Sequence, residues 1–155
     1  MQLREWEDLP VEMRTEKVRR YYRILKRKRG SLIYKRTFDI VASLTMAILL
    51  LPVFAVISVL IVLDSGGVFY RQVRVTQYGK RFRIVKFRTM TAGADRAGPQ
   101  VTVGHDRRVT RVGGFLRRYR LDELPQLFNI LTGDMTFVGT RPEVPKYVEK
   151  YTEEM

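Results

Sequence analysis

The apolar run from Ile40 to Leu63, interrupted by Pro52 and bounded by basic residues at both ends, limits this chain more than any other feature. A straight helix through it rises about 36 Å, enough to cross a hydrocarbon core of about 30 Å. Lys/Arg-rich flanks prefer the cytoplasmic side of a membrane. Here Arg27, Lys28, Arg29, Lys35 and Arg36 precede the run, and Arg71, Arg74, Lys80 and Arg81 follow it. One crossing cannot keep both flanks on one side. Proline deletes a helix hydrogen bond and crowds the preceding turn, so a break at Pro52 gives two arms of about a dozen residues, each rising about 18 Å and too short to cross. Two topologies fit the residues about equally. One is a kinked single span. The other is a re-entrant hairpin that enters and leaves one leaflet, its freed carbonyls served by the Ser43, Thr45 or Ser58 hydroxyls. A secretory signal does not fit, because the run starts late and is followed by Asp64, Gly66 and Gly67 in place of a small-residue cleavage site.

Outside the run and its basic approach, roughly ninety residues remain for one compact lobe, a small but workable core. With 29 Lys and Arg against 16 Asp and Glu, the net charge of +13 calls for anionic company. Nucleic acid, acidic headgroups and phosphate-bearing substrates all qualify, and the apolar run favours lipid. No cysteine is present, which excludes disulfides and thiolate metal sites, and the one histidine, His105, cannot build a zinc site unaided. Any metal is then a hard cation such as Mg²⁺, held by carboxylates and phosphate.

Three segments are organised around this run: residues 1–34, a basic amphipathic approach; 35–64, the membrane helix; and 65–155, a cytosolic lobe. From Val11 to Arg29, Val18, Tyr21, Tyr22 and Leu25 fall at helical spacing among Arg14, Lys17, Arg19, Arg20, Arg23 and Lys26. That pattern suits a helix on an anionic membrane. It also suits a basic helix packed on the lobe or an arm on nucleic acid. Gly30 and Ser31 are expected to end it. Past Gly67 the period changes to β-type over Val68–Val75 and Arg81–Phe87, a hairpin closed around Tyr78, Gly79 and Lys80. Alternation puts Arg81 and Arg83 on one face and Lys86 and Arg88 on the other. With Arg71 or Arg74, either pair can reach a phosphate, or it can simply protect a strand edge. Small and polar residues from Thr91 to Gly104 read as a loop. Thr110 is placed to cap a short helix through Phe115 and Leu116. A second helix is expected from Glu123 to Leu131, with Asp122 near its start, Pro125 in its first turn and Gly133 past its end. The fold class is therefore α/β, mixed and mostly helical.

Asp122 at a helix start, beside Arg117, Arg118 and Arg120, would be held ionised, and an ionised carboxylate can attack phosphorus to give an acyl phosphate. Glu123 joins it on one face only if that turn is irregular. Alone, an Asp-Glu pair before an apolar helix is more often a cap and a dipole partner.

Lys35-Arg36-Thr37-Phe38-Asp39, Val68 to Arg74, Lys86-Phe87-Arg88-Thr89-Met90, Asp106 to Gly113, Leu121-Asp122-Glu123-Leu124-Pro125-Gln126, Gly133-Asp134-Met135 and Arg141-Pro142 occur in this order. Each fragment is weak, but the ordered set resembles the bacterial sugar transferases that act as monotopic polyprenyl-phosphate phosphoglycosyl transferases. The resemblance implies transfer of a phospho-sugar from a UDP-sugar to a polyprenyl phosphate through a covalent aspartyl intermediate, with release of UMP. It implies Asp122 as nucleophile, Glu123 as its partner in metal binding or proton handling, and Mg²⁺ as cofactor. It further implies Lys86, Arg88, Arg111, Arg141 and Pro142 at the substrate, Lys35, Arg36 and Pro52 at the membrane, and a re-entrant helix broken at Pro52. The expected location is the cytoplasmic face of the bacterial inner membrane, with anionic phospholipid as a further partner, no nucleic acid, and room for an oligomer. The chain departs from the family pattern at Thr140, where proline is common, at Gly67 for proline, and at Thr76 for glycine. No Pro-Gly segment follows Tyr151, which reads as a minimal or C-terminally truncated form. A catalytically inactive membrane module and a membrane-tethered nucleic-acid binder are the rival readings.

Overall fold

The apolar run breaks at Leu50 (φ −89°, ψ 1°), and the helices on either side, α2 (Arg29–Leu49) and α3 (Leu51–Ser65), are bent by 61° from one another. These features come from a computed structural model that describes residues 3–94 and 106–149. The break falls two residues before Pro52, because proline occupies the first turn of the new helix, where its missing N–H would have had no partner anyway. Around the bend the Leu50 N–H reaches the Met46 carbonyl (2.9 Å) and the Phe54 N–H reaches the Leu50 carbonyl (2.8 Å). The Ser43 hydroxyl turns back three residues to the Ile40 carbonyl (3.2 Å) and does not serve the bend. The result is an open elbow, not a tight hairpin. Among the described residues no single helix is long and apolar enough to cross a membrane, although the bent pair passes that test together.

The N-terminal helix α1 (Glu16–Arg27) starts later than Val11, where Thr15 Oγ1 accepts the Val18 N–H (3.3 Å). It ends at Lys28, before the glycine expected to stop it. Gly30 and Ser31 instead lie in the first turn of α2, where amides have no intrahelical partner to lose. Residues 3–15 fold back over α1 through two 3₁₀ turns. Trp6 meets the buried Tyr22 edge-on (5.2 Å), and Glu5 faces Lys26 (3.3 Å) and Arg29 (3.6 Å).

β1 (Phe69–Val75) and β2 (Arg81–Phe87) pair antiparallel, from Phe69 opposite Phe87 to Val75 opposite Arg81. The turn between them carries Tyr78 (φ 62°) and Gly79 (φ 70°) in the left-handed region that two-residue hairpin turns favour. A bond from the Arg88 N–H to the Val68 carbonyl (2.8 Å) sets the phase of the ladder, so odd-numbered residues of both strands direct their amides outward. On the β2 side these are met by Asn129, which accepts the Val85 N–H and donates to the Arg83 carbonyl, both at 2.9 Å.

Asn129 belongs to α5 (Gln126–Thr132), which packs along α2 and ends at Gly133 (φ 90°). Thr110 caps α4 (Arg111–Arg118) by accepting the Gly113 N–H (2.9 Å). At Gly113 a Cβ would stand 2.1 Å from the Thr89 carbonyl oxygen, so α4 can approach the strand only with glycine there. A short α6 (Pro145–Val148) follows. The core joins Phe54, Ile57 and Ile61 of α3 to Phe87 of β2 and Leu116 of α4. The opposite sides of the elbow stay bare: Val41, Leu44 and Ile48 on α2 and Val56, Val59 and Leu63 on α3 are exposed. Of the loop expected from Thr91 to Gly104, Thr91 to Ala94 form a turn, and the remainder, with His105, lies outside the described residues.

Candidate active site

Pro125 decides the local geometry of the Asp-Glu pair. Having no N–H, it cannot extend a helix back through Leu121. Residues Leu121–Glu123 therefore close as a 3₁₀ turn, entered through Arg120 in the left-handed region (φ 59°), and the α-helix begins only at Gln126. Asp122 is thus not at the start of an α-helix, and a three-residue turn supplies little axial dipole. The irregularity has the other consequence anticipated for it: Asp122 and Glu123 line one cavity.

Asp122 is buried, and its Oδ1 has no hydrogen-bond partner among the described residues. Burial pushes its carboxyl above the ordinary value, with Glu123 adding to that push, while Lys86 and Arg117 pull against it. Glu123 has the opposite balance. Burial raises it, but a hydrogen bond from Lys86 Nζ to Oε1 (2.9 Å) and the charges of Lys86, Arg141 and Arg120 bring the carboxyl below the ordinary value. Arg141 Nη2 meets the same Oε1 at 3.1 Å, and Arg120 Nη1 stands 3.9 Å away. Neighbouring carboxylates are therefore driven apart in proton affinity, a pattern typical of reactive sites.

The cavity in front of them measures about 1120 Å³. Nine lysines and arginines line it, against Asp122 and Glu123 as the two acids. Lys86 and Arg88 point into it from β2 and the residue following it. The Arg88 guanidinium fills the space beside Gly67, where a Cβ would come within 2.1 Å of Nη1. Pro142 is not among the lining residues; its carbonyl accepts Arg74 Nη1 (3.2 Å) and so steadies the segment that carries Arg141. Arg111 also stands apart, exposed at the first residue of α4. Beside it Asp64 Oδ2 accepts the Val112 N–H (3.2 Å), tying the end of α3 to the start of α4.

Lys35 and Arg36, expected at the membrane, are engaged in the fold. Arg36 donates to the Ile130 (2.7 Å) and Leu131 (2.8 Å) carbonyls in the last turn of α5, where the Ile130 oxygen also accepts the Gly133 N–H (3.1 Å). Lys35 bonds Thr136 Oγ1 and faces the buried Asp39 (3.8 Å), whose Oδ1 accepts the Phe137 N–H (3.3 Å). Arg117, expected beside Asp122, donates to Thr89 Oγ1 at 2.8 Å. The sequence reading missed two further participants. Asn129 was hidden in an apolar helix. Arg108 lines the cavity and pairs with Asp106 (2.6 Å), whose carboxyl its hydrogen bonds lower to about 2. The Asp-x-Arg spacing was the one available signal for that pair.

Among the described residues no three His, Asp or Glu side chains gather to hold a metal. The pair present fits Mg²⁺ in its usual enzymatic form, bound by one or two carboxylates with substrate phosphates completing the shell. Asp122 and Glu123, side by side at the cavity wall, are the carboxylates that would supply its protein oxygens.

Residues 30–155 match the family model described as bacterial sugar transferase. A Bacillus subtilis (strain 168) protein with the provisional name undecaprenyl-phosphate N-acetylgalactosaminyl 1-phosphate transferase is 46% identical over 125 residues, covering 80% of this chain and 70% of the relative. The UDP-N-acetylgalactosamine-undecaprenyl-phosphate N-acetylgalactosaminephosphotransferase of Aeromonas hydrophila is 43% identical over 78% of this chain, and the UDP-glucose:undecaprenyl-phosphate glucose-1-phosphate transferase of Klebsiella pneumoniae 41% identical over 78%. This chain spans 29% and 26% of those two longer proteins. With the matched region running from the start of α2 through the acidic pair to the last helix, the chain belongs to the bacterial sugar transferase family.

Proposed function

We propose that this protein transfers a phospho-sugar from a UDP-sugar to a polyprenyl phosphate at the cytoplasmic face of a bacterial inner membrane. The observation that carries the reading is a buried carboxylate with an unpaired oxygen, Asp122, at the wall of a cationic cavity next to a bare apolar elbow. The names of the relatives support the donor and acceptor classes.

In the first half-reaction an Asp122 carboxylate oxygen attacks the phosphorus that bears the sugar. The bond from that phosphorus to the bridging oxygen breaks, UMP leaves with the electron pair, and the phospho-sugar remains on Asp122. In the second, a polyprenyl phosphate oxygen attacks the same phosphorus and restores the free carboxylate. Lys86, Arg88 and Arg141 neutralise and orient the diphosphate, which a carboxylate could not otherwise approach. Mg²⁺ bound with the donor would add charge neutralisation to the departing phosphate. Glu123, held ionised by Lys86 and Arg141, keeps those cations in place between turnovers.

The elbow supplies access to the lipid substrate. Ile40–Leu49 rises about 15 Å and Leu51–Leu63 about 20 Å, so neither arm alone crosses the hydrocarbon core. Both basic flanks then stay on one side, and the Asp64–Val112 tie sets α4 and the reactive turn close to where α3 emerges. Anionic headgroups are the natural neighbours of the basic α1.

Detergent-solubilised protein incubated with a panel of UDP-sugars and Mg²⁺ is expected to release UMP and form a phospho-sugar adduct on Asp122. Asp122→Asn should abolish both. Absence of UMP and adduct with every donor, or full activity in Asp122→Asn, refutes the reading and leaves an inactive membrane module.

A further inference from the structure

The β1–β2 ladder leaves odd-numbered residues with their N–H and C=O groups directed outward, and the protein itself satisfies several of them. The Val75 N–H donates to the Glu143 carbonyl (2.8 Å), and Asn129 serves Val85 and Arg83 on the far side. Between Glu143 and the reactive turn the pattern stops. The Arg71 carbonyl and the Val73 N–H, neighbours on the outer edge of β1, have no partner among the described residues, and Arg71, Gln72 and Val73 all line the cavity. An open strand edge normally recruits something. Here it is the wall of a substrate-sized space.

We propose that this edge reads the uracil ring of the donor nucleotide, the Arg71 carbonyl accepting the ring N3–H and the Val73 N–H donating to a ring carbonyl beside it. The inference rests on the UDP-sugar reading above and deepens it. On a strand edge the carbonyl of one residue and the N–H two residues later lie side by side, an acceptor and a donor near one plane. Uracil offers the complementary pair on adjacent atoms of one flat ring. The charge distribution sets its direction. Tyr70 sits opposite Lys86, which holds Glu123, so the phosphate-binding end is at that register. Val73 is three residues further along, about 10 Å at strand rise, a reach comparable to that from a diphosphate through ribose to a base. Covering the edge with a ring strips its water, so unmatched groups there would be penalised and matched ones rewarded. The site would therefore select the nucleotide while leaving the sugar to other residues.

The test compares full-length protein acting on a UDP-sugar and on the same donor methylated at uracil N3. Methylation removes the donor and is expected to lower kcat/KM for UMP release about tenfold or more. Val73→Pro deletes an amide that takes no part in the ladder, a placement proline tolerates on an edge strand. It should cost a comparable factor with the ordinary donor and shrink the methylation penalty to within about threefold. Val73→Ala keeps the amide, so its methylation penalty should persist at about tenfold, and melting curves of the variants check that each folds. Wild-type protein that turns over both donors with equal kcat/KM overturns the inference while leaving the transferase reading intact. A Val73→Pro variant that loses a dimer but retains donor discrimination also overturns it, in favour of strand pairing between copies. No turnover of any UDP-sugar by the wild type refutes both readings.

Discussion

Replacing Asn129 by leucine tests whether the reactive site depends on a closed strand edge. The residue is 5% exposed, and its side chain makes two bonds of 2.9 Å, one to the Val85 N–H and one to the Arg83 carbonyl. Leucine matches its size and offers neither partner. Leaving a fully buried polar group unsatisfied costs about 1–3 kcal/mol. Val85 is half-buried and Arg83 exposed, so the lower part of that range applies to each, giving about 2–3 kcal/mol in total. For a chain of this length that lowers Tm by about 5–10 °C, read as thermal unfolding in detergent at fixed lipid and salt. Asn129→Asp keeps the acceptor for Val85, loses the donor to Arg83 and adds a buried charge, so at neutral pH it should melt at least as low. Because Lys86 directly follows Val85, UMP release should fall in both variants as the Lys86–Glu123 pair loosens. An Asn129→Leu protein whose Tm stays within about 1 °C of wild type refutes the claim that this amide closes the β2 edge.

Lys86→Met removes the first charge that opposes the upward shift of Asp122. Since the attacking form is ionised, raising this pKa reduces the reactive fraction at any fixed pH, and the acid limb of the UMP-release profile should move to higher pH; an unmoved limb counts against Asp122 as nucleophile. Arg36→Met loses two charge-assisted bonds at the end of α5 and should destabilise the fold by about 2–4 kcal/mol, seen as a lower Tm. If Arg36 acted on headgroups, vesicle binding would fall with Tm unchanged. Cysteines introduced singly at Tyr34 and Arg81, both exposed in a chain with no natural cysteine, should be labelled by an impermeant maleimide from the same side of a sealed vesicle. Labelling from opposite sides would reject the re-entrant elbow.

Local signals were readable and long-range ones were not. Thr110 as a cap, Gly133 as a stop and the hairpin turn at Tyr78–Gly79 each depend on a few neighbouring residues, and the structure places all three as the sequence suggests. Pro52 announced a break, but its effect falls on the preceding turn, which is why the chain bends at Leu50. Pro125 acts similarly and delays α5, turning the expected helix start into the irregular turn that brings Asp122 and Glu123 together. Arg36 looked like a headgroup ligand because basic residues beside an apolar run usually are. Its partners lie 94 and 95 residues away, and no local pattern announces carbonyls at the end of a distant helix. Asn129 escaped for the same reason, since its bonds to β2 span 44 and 46 residues.

Burial of Asp122 sets two requirements of the proposed reaction against each other. A nucleophile largely withdrawn from water is less prone to lose its phospho-sugar to hydrolysis, and the same burial raises its affinity for a proton. Stronger cationic contact would solve the second problem by forming a direct ion pair, as Lys86 does with Glu123. An Asp122 oxygen so engaged would be a poorer nucleophile. The structure places the cation on the neighbouring carboxylate instead, so Lys86 acts on Asp122 through its field while Oδ1 remains unpaired. Glu123 on this argument is what allows the strongest charge in the cavity to favour ionisation of Asp122 without occupying the oxygen that must react.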